Sequence, residues 1–95
     1  MIPGTTSKLS ESVVASAATI TAKSDIARVT GTTTINTINP SFEGFSGFLV
    51  LIPVDGTVTL GTSGNILVGI NAVVNRAVFM VFNKVTGKWY INSGV

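Results

Sequence analysis

A chain of 95 residues that is 45% hydrophobic and only 11% charged is a single domain's length of sequence, with more apolar surface than so small a sphere readily hides. Such a balance disfavours disorder and favours self-association. The chain contains no Cys and no His, which removes disulfides, thiolate metal sites, the commonest general base and the usual nucleophilic triads. Its net charge of +2 comes from basic residues scattered along the chain. They form no stripe that could track a phosphate backbone, so no nucleic-acid partner is expected.

The opening stretch MIPGTTSKLSES has Pro3, Gly4 and small polar residues, with no period of 2 or 3.6. It lacks the apolar core of a secretory signal, and no segment of the chain reaches the ~18 apolar residues of a membrane span. Residues 1–12 are therefore expected to form an extended N-terminal arm, and residues 13–95 a single β domain of a soluble chain without a membrane partner. The Ala-rich residues 12–18 allow a short helix. The β-branched Thr19, Ile20 and Thr21 then favour a strand, followed by a turn at Lys23, Ser24 and Asp25.

Residues 26–30 predict a second strand ended by Gly31, and the Thr-rich residues 32–38 a third, with its polar side chains in water. Ile35 and Ile38 are out of step with a period of 2, so this strand must bend, bulge or end near Asn36 and Thr37 if both are buried. Asn39 and Pro40 close it. Residues 48–52, FLVLI, are apolar on both faces, as are residues 77–82, AVFMVF. Between them lie a hairpin-type turn at Asp55 and Gly56, a half-exposed strand at 57–60, the turn GTSGN and a short strand at 66–70. A last strand, residues 88–91, sets Trp89 and Tyr90 on opposite faces.

Short strands separated by frequent turn signals predict an all-β fold of about seven or eight strands: a compact β-sandwich, a jelly-roll-like domain or a small β-barrel. In a two-layer domain each sheet has one inner face, so two strands apolar on both faces must be covered from outside. A homo-oligomer interface is expected there, carried by Leu49, Leu51, Val78, Met80 and Phe82. The alternative cover is the arm or the early helix.

Nothing in the chain positively suggests catalysis, and neither a cofactor nor a metal is expected. Of the four carboxylates, Glu11, Asp25, Glu43 and Asp55, three stand in turn or arm contexts where a solvated or turn-forming acid is ordinary. GFSGF lacks the second glycine of a nucleophile elbow, and GTSGN lacks the Lys and helix of a phosphate loop. Trp89 and Tyr90 could stack on a sugar ring as an adhesion surface. The competing reading has Trp89 closing the end of the core and Tyr90 at a rim or interface.

Three stretches, VTGTTTINTINP, GFSGFLVLIPVDGTVTLGTSGNI and NRAVFMVFNKVTGKWYINSG, together resemble a small β module of tailed-bacteriophage virion proteins, of the head decoration or fibre type. The resemblance covers residues 26–92. It implies a non-enzymatic virion structural protein, a homo-oligomer, in that family a trimer. With only a short arm before the β region, the similarity implies a capsid decoration, or cement, protein located on the outer capsid surface, whose partner is the major capsid protein. Under that reading Ile2, Pro3, Thr5, Thr6, Lys8 and Leu9 form the capsid-binding arm, which adds backbone hydrogen bonds to the shell. The alternative is a receptor- or glycan-binding fibre tip that uses Trp89 and Tyr90.

Overall fold

The structure, a computed structural model, describes residues 10–91. The expected capsid-binding residues Ile2, Pro3, Thr5, Thr6, Lys8 and Leu9 lie outside them. All regular elements described are strands: β1 Glu11–Ala15, β2 Thr19–Thr21, β3 Ile26–Thr30, β4 Thr37–Asn39, β5 Gly47–Pro53, β6 Val58–Leu60, β7 Ile70–Ala72, β8 Val78–Asn83 and β9 Lys88–Ile91. They form a five-stranded sheet ordered β1-β3-β5-β8-β9 and two two-stranded ladders, β2-β4 and β6-β7. Buried side chains from the sheet and from both ladders make one core, so the fold is a small all-β, sandwich-like domain.

The first five strands pass alternately between the two layers, and the pairings within each layer are parallel. In the sheet Glu11 lies beside Ile26, and Ile26 beside Val50; in the ladder Ile20 lies beside Ile38. Parallel neighbours need a crossover connection, and here each crossover is itself a strand of the opposite layer. The chain thus winds in stacked tiers. Polar groups tie one tier to the next at the corners. Asp25 accepts hydrogen bonds from the Ser10 N–H and hydroxyl, each at 3.3 Å. Asp55 Oδ2 accepts from the Gly31 N–H at 2.8 Å, and Ser16 Oγ from the Thr33 N–H at 2.9 Å. The turn at Asp55 and Gly56 is such a corner, not the hairpin turn expected.

The hairpin β8-β9 ends the parallel stacking. β8 runs antiparallel to β5, with Leu49 opposite Met80, and β9 returns along β8, with Phe82 opposite Trp89. Its turn uses Gly87 at φ 68°, and the Asn83 side-chain oxygen accepts from the Val85 N–H at 2.8 Å.

Two local expectations need correction. Residues 12–18 form no helix: β1 occupies Glu11–Ala15, because its edge pairs with β3 and tertiary pairing overrides the helical preference of Ala. Glu11 and Ser12, assigned to the arm, are therefore part of the sheet. In the Thr-rich segment only Thr37–Asn39 is a strand, while Ile35 forms an isolated parallel bridge with Leu60. Ile35 and Ile38 are both buried, and the break between them allows it: one pairs towards the third tier and the other with Ile20 of the first.

Candidate interaction surface

Alternation along the five-stranded sheet sends Ala27, Val29, Leu49, Leu51, Val78, Met80, Phe82 and Trp89 into the core. The other parity faces outward. Two rows cross the strands there: Glu11, Ile26, Val50 and Phe79 form one, and Phe48, Val81 and Tyr90 the other. Most of these side chains are apolar, yet Phe48 is 43%, Phe79 53%, Val81 52% and Tyr90 39% exposed. They border a shallow apolar depression of about 400 Å³, whose wall is completed by Met80 and Ile91. Tyr90 lays its ring on this face while its hydroxyl donates to Thr86 Oγ1 at 3.1 Å. On the β1-β3 side, Arg28 and Glu11 form an ion pair at 2.7 Å, both half-exposed.

Leu49, Leu51, Val78, Met80 and Phe82 are therefore not the interface residues expected of them: all five are buried within one chain. A strand apolar on both faces leaves open which parity points inward, and a one-residue shift exchanges the two sets. The exposed partners in the same strands are Phe48, Phe79 and Val81.

Trp89 is likewise no part of an adhesion surface. It is fully buried, 5.0 Å between ring centroids from Phe82, and its indole N–H donates to the Ile38 carbonyl at 2.8 Å. Only Tyr90 of that pair reaches the surface. Sequence reading passed over Asn65. Its side-chain amide accepts from the Ile38 N–H at 2.9 Å and donates to the Ile38 carbonyl at 2.8 Å, while its backbone carbonyl accepts from the Trp89 N–H. The available signal was an Asn after Gly in a turn, which marks a turn but not a distant partner.

Three of the four carboxylates have a structural partner in this arrangement: Glu11 pairs with Arg28, Asp25 holds Ser10 and Asp55 holds Gly31. Among the described residues no group of three or more carboxylates is placed to hold a metal ion. Comparison with protein-family models, curated proteins and solved structures finds no match to this chain.

Proposed function

We propose that this chain is a non-enzymatic virion structural protein that works as a homo-oligomer, a trimer on the family resemblance, and decorates the outer capsid surface by binding the major capsid protein. The observation that supports self-association in this reading is the outward apolar face of Phe48, Phe79, Val81 and Tyr90, a sheet face that the described residues leave uncovered and that an oligomer would bury. With aromatic side chains of about 200 Å² each, these exposed fractions leave roughly 300 Å² of contiguous apolar surface, a patch size often associated with function. Burying it contributes about 7 kcal/mol per subunit, against association costs of about 4–15 kcal/mol. One such contact is modest. Several acting together in a closed oligomer, itself engaging the shell at several points, give a durable assembly.

A fibre module is the second reading. In its favour are the parallel tiers of β1 to β5, which stack along one direction and lend themselves to extension. The glycan-stacking form of that reading loses Trp89 to the core. The test is co-sedimentation of the purified protein with capsids that lack it, together with its mass in solution. Saturation at a fixed copy number supports decoration. An oligomer that ignores capsids and binds host cells overturns it in favour of adhesion.

A further inference from the structure

The two ends of the five-stranded sheet differ. At the β9 end the outer edge is occupied: the Trp89 N–H donates to the Asn65 carbonyl at 2.8 Å, and the Trp89 carbonyl accepts from the Leu67 N–H at 3.1 Å. At the β1 end, Ser10 accepts from the Ile26 N–H and the Ser16 N–H donates to Thr30. A parallel ladder in that register uses the backbone groups of Ser10, Ser12, Val14 and Ser16. Those of Glu11, Val13 and Ala15 turn the other way, towards an edge that carries no partner among the described residues. The second layer repeats this at the same tier. Ala18 and Ala22 bond to β4, which turns Thr19 and Thr21 to the open side. Between the two edges lies a depression of about 320 Å³ that includes Val14, Ile20 and Lys23.

Natural edge strands are usually blunted by Lys, Pro, a bulge or extreme shortness. β1, ESVVA, has five residues, no Pro and no Lys, and Val13 is 56% exposed. We propose that this open first tier is a self-association surface in which β1 pairs antiparallel with β1 of a second copy across a two-fold axis at Val13, bringing β2 towards β2 in the other layer. A second copy is the occupant because, among the described residues, both layers are open at one end. A single added strand would satisfy one edge and leave the other, whereas a copy related by a two-fold offers both edges at once. The pairing is also electrostatically acceptable, since it sets Val13 opposite itself and Glu11 opposite Ala15, so that like charges do not meet. It rests on the strand edges alone and stands apart from the functional reading above. β1 lies three strands from β8 in the sheet order, so this edge and the Phe79 face can be occupied together.

The test uses the full chain at several concentrations, reading mass by sedimentation and amide exchange by NMR. V13P removes an N–H that no bond among the described residues uses, a position where an edge strand tolerates Pro. V13K keeps the N–H and sets two cations against each other on the axis. The expected result is a roughly two-fold lower mass for each folded variant. The amides of Glu11, Val13 and Ala15 should be protected in the native chain in proportion to concentration, and also in F79S, whose substitution lies on the other surface. Should V13P fail to fold, V13K decides. A folded V13K with the native mass overturns the proposal. So do edge amides that exchange freely at every concentration, and so does protection independent of concentration, which would indicate cover from the same chain.

Discussion

The side-chain amide of Asn65 pairs with both backbone groups of Ile38, at 2.9 Å to its N–H and 2.8 Å to its carbonyl. A single side chain thus acts as the neighbouring strand that β4 lacks at this position. The Ile38 carbonyl also takes the Trp89 indole N–H, at 2.8 Å. Ile38, Asn65 and Trp89 lie far apart in sequence, so this junction fastens the ladder layer to the closing hairpin.

Asn65→Ala should destabilise the fold by about 1–3 kcal/mol, because the Ile38 N–H is left without its acceptor in a part-buried setting. Asn65→Asp should recover part of this. A carboxylate accepts from the N–H, but it sets a negative charge beside the Ile38 carbonyl where Asn65 donates, and that carbonyl keeps only the Trp89 indole N–H. Urea unfolding of both variants measures the difference, and an Asp variant equal to the native chain would show that the donor half is dispensable.

Trp89→Phe should cost about 1–3 kcal/mol through the lost hydrogen bond and the void left by the smaller ring. As the only Trp in the chain, Trp89 also reports its own burial. Its fluorescence should resist an aqueous quencher in the native state and become accessible on unfolding. Ready quenching of the folded protein would return Trp89 to the surface.

Phe79→Ser should leave the stability of the folded chain within about 0.5 kcal/mol, since the side chain is half-exposed, while lowering the oligomer mass. Leu51→Ala, in the neighbouring strand with the opposite parity, should cost about 2–5 kcal/mol. Denaturation and light scattering on both variants separate the outer face from the core. Loss of stability in the first and loss of mass alone in the second would reverse the assignment.

Gly64→Ala should destabilise by about 1–3 kcal/mol, because an added Cβ would overlap the Asn36 carbonyl group, whose carbon would lie 2.8 Å away. The obstacle is backbone, which cannot swing aside as a flexible side chain could. A thermal midpoint equal to that of the native protein would mean that the loop 61–65 shifts freely, contrary to its role in placing Asn65.

Asp55→Ala should cost about 0.5–1.5 kcal/mol by removing the acceptor of the Gly31 N–H, and Asp55→Asn should restore most of it, since its amide oxygen can still accept. Gly31 itself, at φ 74°, should not tolerate Ala: a Cβ there would meet Ser16 Oγ at 2.8 Å. Chemical denaturation of the three variants checks whether these corners hold the tiers together.

Much of the local structure was legible in the chain. Residues 26–30 and 88–91 are strands over those spans, because Ala27 and Val29 alternate with Arg28, and Trp89 with Tyr90. The conflict between Ile35 and Ile38 correctly marked a break, since two buried side chains three residues apart cannot share one face of an extended strand. The interaction surface was legible only in part. The runs FLVLI and AVFMVF announced two covered faces, but neither contains a polar residue to mark the outward parity. The expected interface therefore fell on Leu49, Leu51, Val78, Met80 and Phe82, the core set.

What the sequence determined by itself was the class of fold and its apolar excess: β-branched alternation, punctuating turns and few charges leave an all-β domain with apolar surface to spare. Those are local properties, written in the spacing of side chains along one strand. Only the tertiary structure decided that the early strands run parallel in tiers, that Asn65 stands in for a strand beside Ile38, and that Phe48, Phe79, Val81 and Tyr90 face outward. Partner, register and face are set by which distant segments meet, and a period of two is the same whichever side of the strand is buried.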